Sequence, residues 1–265
     1  MTGVLTMWDE TSAYVFVGLA AISSLLGGAL VTGRRNWSRP GLLKLTAFSA
    51  GFLLSVALGK LLPEALEAGE HTAYWVLAGF GLVYLFERAF TTHFHFGEET
   101  HAVRRAGTAA GAWAGLVMHT FFDGLAIVAA FAIHWQLGFM VFMAVILHKL
   151  ADGVTMASVA LACHRSARVA LLACATLALA TALGGATLPL VTAFAPQAVP
   201  AAGAYWSPPA VALALSAGAF IYVAAADLLP MVSESGLRSA PFLVIGGAGL
   251  YLLLSHLLHL GGLGH

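Results

Sequence analysis

Charge is what this chain has least of. Only 9% of its 265 residues are Asp, Glu, Lys or Arg, while 60% are hydrophobic and the mean hydropathy is +0.89. A soluble domain carries about 25% charged residues to cover its surface, so a soluble enzyme and a disordered chain are both excluded. Basic excess is missing too. Twelve Lys and Arg balance twelve Asp and Glu, which leaves no basic face for a nucleic acid. Cysteine is nearly absent: Cys163 and Cys174 cannot make a disulfide framework and are expected to be buried thiols. The stretch from Met1 to Ser12 carries Asp9 and Glu10 but no Lys or Arg. A secretory leader starts basic, so the first apolar run is expected to be a retained helix.

In place of charge there are long apolar runs. A helix crosses the hydrocarbon core in about twenty residues, which places spans near 13–32, 43–66, 73–91, 110–133, 137–163, 167–193, 208–232 and 241–260. None of these runs alternates as a barrel strand does, so the expected fold is all-α, a polytopic membrane protein with eight transmembrane helices. The bilayer is then its first partner. Lys and Arg fall in alternate loops: Arg34, Arg35, Arg39 and Lys44; Arg88, Arg104 and Arg105; Arg165 and Arg168; Arg238. Positive charge marks the cytoplasmic side, so both termini are expected outside, and a bacterial inner membrane is the expected location.

Two repeats recur in opposite orientation. Ser49–Pro63 (SAGFLLSVALGKLLP) and Ser216–Pro230 (SAGAFIYVAAADLLP) lie 167 positions apart and are identical at eight of fifteen positions. His119-Thr-Phe-Phe-Asp123-Gly124 and His148-Lys-Leu-Ala-Asp152-Gly153 lie 29 apart. Their spans run in opposite directions, so spans 1–3 and 6–8 form inverted repeats around the symmetric pair 4–5. That arrangement is typical of secondary transporters, with the substrate site near midplane.

Ionisable residues inside spans face a partner, a cavity or an ion. His119 and Asp123, four apart, share one helical face, and His148 and Asp152 do the same on the next span. Two imidazoles and two carboxylates are a tetrahedral ligand set for Zn²⁺ or a neighbouring divalent ion. A polar packing cluster is the blander reading, but a symmetric duplicate points to metal. Gly124 and Gly153 follow the acids and let helices approach closely enough to share an ion. Lys149 either supplies a fixed charge where a second metal would bind or pairs with a carboxylate. Lys60 and Asp227 occupy equivalent repeat positions and are expected to face each other as a charge pair or gate. Pro63 and Pro230 follow them and should kink both helices.

Beyond the spans, Glu64, Glu67, Glu70 and His71 form an outer loop, read either as solvated acid or as a mouth that concentrates cations. Residues 92–107 form a short inner loop in which His93, His95 and His101 would receive a metal on the cytoplasmic side. His134, His164, His256, His259 and His265 fall at or beyond span ends and read as wet surface histidines. Met118, Met140, Met143 and Met156 read as packing residues.

At Met118–Ile127 (MHTFFDGLAI) and Leu147–Gly153 (LHKLADG), with the LLP endings of spans 2 and 7, the sequence resembles the ZIP (Zrt/Irt-like protein) family of divalent-metal transporters. The resemblance covers essentially the whole chain, residues 1–265, as a single transmembrane domain. Members typically carry His-Asn-x-Pro-Glu-Gly in span 4, so the primary-site roles would pass to His119, Asp123, His148 and Asp152. Thr120 stands for the usual Asn, Lys149 for a second-site acid, and span 6 has no carboxylate, which implies one ion per protomer. The resemblance implies transport toward the cytoplasm by an elevator-like shift, with no organic cofactor, no enzymatic activity and a homodimer in prospect. Two rivals fit less well: a metal exporter of the cation-diffusion-facilitator type, and an intramembrane zinc-dependent hydrolase, for which no His-Glu-x-x-His pair exists.

Overall fold

The computed structural model describes residues 10–33, 39–69, 71–90, 106–163, 165–194 and 207–260. All regular structure among them is helical: α1 (Glu10–Gly33), α2 (Arg39–Val56), α3 (Leu62–Glu67), α4 (Thr72–Phe90), α5 (Ala106–Ile133), α6 (Trp135–Ala162), α7 (Ala167–Phe194), α8 (Pro208–Tyr222), α9 (Leu229–Glu234) and α10 (Ala240–Leu260). Seven continuous helical stretches among the described residues are long and apolar enough to cross a membrane. The expected third span is a helix too, α4, but it is not among the seven: Tyr74, Trp75 and Tyr84 dilute its apolar stretch and it ends on Glu87 and Arg88.

Caps set the sharpest boundaries. Ser207, in extended conformation, accepts from the N–H of Ala210 and is followed by Pro208, whose missing N–H costs nothing at a helix start. His134 does the same for α6, its Nδ1 accepting from the N–H of Leu137 at 3.1 Å. It is the single residue between α5 and α6, so those two helices form a tight hairpin.

The kinks expected at Pro63 and Pro230 take a particular form. Proline has no N–H to give, and the helix before each one widens into a π turn, at Ala57–Leu61 and Val223–Leu228. The N–H of Leu62 reaches back to the carbonyl of Ala57, and that of Leu229 to Ala224. Each π turn carries its repeat's charged residue, Lys60 in one and Asp227 in the other.

Helix contacts depend on glycine. A Cβ on Gly124 would strike the carbonyl of Thr181 on α7, and one on Gly184 the carbonyl of Phe121 on α5. On the other side of the hairpin, Gly153 meets Ser24 of α1, and Gly27 meets Leu150 of α6. These glycines therefore bring α7 and α1 against the hairpin rather than α5 and α6 against each other, which corrects the sharing role expected of Gly124 and Gly153. Small residues serve this purpose in membranes, where close packing replaces the hydrophobic drive. Outside this group, Gly51 and Gly247 seat α2 on α10, and Gly218 and Gly79 seat α8 on α4. Substitution Gly184→Ala is expected to push α5 and α7 apart at a cost of about 1–3 kcal/mol. A lower thermal midpoint of the detergent-solubilised protein checks this, and an unchanged midpoint would refute the tight fit.

Neither cysteine forms a disulfide. Cys174 is buried against Gly28 and donates to the carbonyl of Gly153 at 3.4 Å, whereas Cys163 ends α6 and is only partly buried, contrary to expectation.

Candidate metal centre

The hairpin brings His119, Asp123, His148 and Asp152 together. One ligand atom from each lies within 4.8 Å of all the others, and all four side chains are buried. The spacing is the cause. Residues four apart stack one turn above each other, so each helix turns an imidazole and a carboxylate to the same face, and the hairpin puts the two faces together.

The four are not equally engaged. His148 Nδ1 lies 2.7 Å from the carbonyl of Ala144. A carbonyl only accepts, so Nδ1 holds the proton and Nε2 points a lone pair into the centre, 3.3 Å from Asp123 Oδ1. Asp123 Oδ2 accepts from Lys149 Nζ at 2.5 Å, with both side chains fully buried. Lys149 thus takes the pairing role, the second of its two sequence readings. His119 Nε2 is 3.7 Å from Asp123 Oδ2 and 3.7 Å from Asp152 Oδ2, too far to hydrogen-bond. Both ring nitrogens of His119 and Oδ2 of Asp152 are buried without a hydrogen-bond partner among the described residues. Most buried polar groups find one, so the orphan Nε2 of His119 and Oδ2 of Asp152, 3.7 Å apart, are a specific signal. Phe220 stands edge-on to His148 at 6.3 Å and closes one wall.

A small cavity of about 30 Å³ touches His119 and Asp152 and continues to Thr46, Glu87, Asp227 and Met231. Glu87 drew no reading from the sequence, where it stands beside Arg88 near the end of α4. Here Tyr222 donates to Glu87 Oε2 at 2.9 Å, and the carboxyl groups of Glu87 and Asp227 hydrogen-bond each other. A carboxylate late in an apolar helix was the available clue.

The Lys60–Asp227 pair does not form. Lys60 lines a different cavity, with Glu64, Glu67 and His134, at the α5–α6 turn; Asp227 lies at the opposite end of the hairpin, beside Gly115 and Thr155. Equivalent positions late in two oppositely directed helices come to opposite ends, not to a common depth. Of the expected entrance residues, Glu64 and Glu67 line the larger cavity, while His71 stacks on Tyr74, 6.3 Å away, and Glu70 lies outside the described residues. His93, His95 and His101 also lie outside them, as do His164 and His265. His134 is not merely wet: its Nε2 sits 3.4 Å from Glu64 Oε2.

Long apolar helices around a buried group of two imidazoles, two carboxylates and one ammonium define a polytopic membrane protein of the ion-handling kind. Known proteins narrow this. The family profile described as ZIP Zinc transporter matches residues 97–255. Zinc transporter ZIP9 of Xenopus tropicalis is 25% identical over 277 residues, spanning 88% of this chain and 89% of its own length. Zinc transporter ZIP9-B of Xenopus laevis is 26% identical over 272 residues, spanning 86% and 88%. The chain belongs to the ZIP zinc transporter family. It is therefore a divalent-metal transporter and not an enzyme, as the motif resemblance implied. Both of these relatives come from Xenopus, which lends no support to a bacterial membrane.

Proposed function

We propose that this protein carries Zn²⁺ toward the cytoplasm through a single buried site made by His119, Asp123, His148 and Asp152. The observation that carries the reading is the set of orphan atoms on His119 and Asp152, facing His148 and Asp123 across one hairpin. Two imidazoles favour Zn²⁺ over Mg²⁺ or Ca²⁺. Lys149 places an ammonium against Asp123, where a second ion would otherwise share that carboxylate, so the buried centre holds one ion.

In this reading α4 is the eighth span and both termini lie outside, as the Lys and Arg distribution supports. Inverted repeats are supported by paired features at the same offset of 167 positions: Gly51 on α2 with Gly218 on α8, and Ala57 and Leu61 in one π turn with Ala224 and Leu228 in the other. The cavity with Glu87 and Asp227 then opens the centre toward the cytoplasm, and these two carboxyl groups line the way out.

The test is uptake of external Zn²⁺ into liposomes that hold a zinc-sensitive dye, for wild type, His119→Ala and Asp152→Ala. Saturable uptake lost in both variants is expected. Uptake retained in both would refute the site, and outward pumping by the wild type would refute the direction.

A further inference from the structure

The cavity at the α5–α6 turn has a volume of about 690 Å³ and shares no lining residue with the buried centre. Its polar lining comes from three places. Glu64 and Glu67 stand i, i+3 on α3; His256 and His259 stand i, i+3 on α10; His134 caps α6 between them. An i, i+3 pair shares one helical face, so each of the two helices turns two donors toward this space. His134 Nδ1 is committed to the N–H of Leu137, which aims Nε2 at Glu64 Oε2, 3.4 Å away. With Nδ1 accepting, Nε2 carries the ring proton and donates it to Glu64, so that carboxylate is fixed before any ligand arrives.

The charge sign follows from the lining. Two carboxylates outweigh the one ammonium, Lys60, which sits a turn before Glu64. With neutral imidazoles the cavity carries net negative charge and favours a cation over a phosphate or carboxylate. The two imidazoles of α10 favour Zn²⁺ and its neighbours over Ca²⁺ or Mg²⁺.

We propose that this cavity is a second metal site, a weaker capture site for Zn²⁺ or a neighbouring divalent transition-metal ion, built from Glu64, Glu67, His256 and His259, with His134 holding Glu64 in place. Its ion is distinct from the one held by the buried centre, because none of the four buried donors reaches it. Binding here stands independently of the transport reading; only its use in uptake rests on that reading. The two exposed histidines of α10 are then ligands rather than bystanders at a helix end.

The experiment is equilibrium binding of Zn²⁺, with Co²⁺ as an optical probe, to the full-length protein in lipid nanodiscs. A variant with the buried centre disabled, His119→Ala with Asp152→Asn, is expected to keep one bound ion. Adding His256→Gln and His259→Gln, both exposed and outside the α6 cap, is expected to weaken that remaining ion about tenfold or more, the usual scale for disturbed metal sites. Loss of all binding in the first variant, or unchanged binding in the second, overturns the proposal. In liposomes, His256→Gln with His259→Gln should raise the half-saturating Zn²⁺ concentration about tenfold, as loss of a capture site's ligands predicts, with the deficit vanishing at saturating metal. The two readings fail differently. A wrong transport reading shows as metal bound without uptake, and a wrong capture site as uptake with unchanged half-saturation.

Discussion

Substitution Asp152→Asn is expected to weaken Zn²⁺ binding and low-concentration uptake roughly a hundredfold, about 2.7 kcal/mol, while the protein folds as before. The asymmetry of the centre is the reason. Asp123 is held by Lys149, so its removal would strand a buried ammonium and confuse a lost ligand with a damaged fold. Asp152 Oδ2 holds nothing among the described residues, so its stabilising contacts are few and its charge is available to an ion. Asn keeps the shape and one acceptor but gives up the negative charge, which isolates the electrostatic share of binding. Titration of the purified variant alongside its thermal melt checks both halves of the claim. A wild-type affinity would remove Asp152 from the site; a collapsed melt would show a structural role instead.

Lys149→Met is expected to act in the opposite sense, on stability first. The ammonium and Asp123 are both fully buried at 2.5 Å, and breaking such a pair by removing one partner costs about 3–5 kcal/mol. For a chain of this size that lowers the thermal midpoint by roughly ten degrees. Added Zn²⁺ should restore much of it, because the ion supplies the missing positive charge beside Asp123, so the metal-induced gain in midpoint should exceed that of the wild type. Lys149→Met combined with Asp123→Asn should melt close to the wild type without metal, since both charges are gone. An unshifted midpoint in the single variant would show that Lys149 does not hold Asp123 in solution.

Much of this was legible in the sequence because membranes leave few choices. Apolar runs separated by Lys and Arg fixed the helices to within a few residues, and the four-residue spacing of His119 with Asp123 and His148 with Asp152 fixed the shared face. What escaped depended on depth and partner. Lys60 and Asp227 align in the repeat, yet alignment says nothing about which end of the bundle each residue occupies, and direction decided that. Glu87 was hidden by Arg88, since a charge at a span end looks the same whether it faces water or a cavity. Gly124 and Gly153 were correctly read as contact residues, but a glycine names a close approach without naming the neighbour. His134 carries two jobs, a cap and a partner for Glu64, and neither leaves a pattern in a single histidine.

One-residue joining of α5 to α6 through His134 has a consequence for energetics. Every donor of the buried centre, and Lys149, belongs to that hairpin. No sliding of other helices past it can pull one ligand from the rest. On the proposed site the ion would meet the same four atoms whichever side of the membrane faces it, and a cradle that does not deform has nearly one dissociation constant for both sides. Such a carrier does no work on its cargo. Net flow must come from what surrounds it, from scarce free metal and abundant competing ligands on the receiving side, and reversing that difference should run the protein backwards.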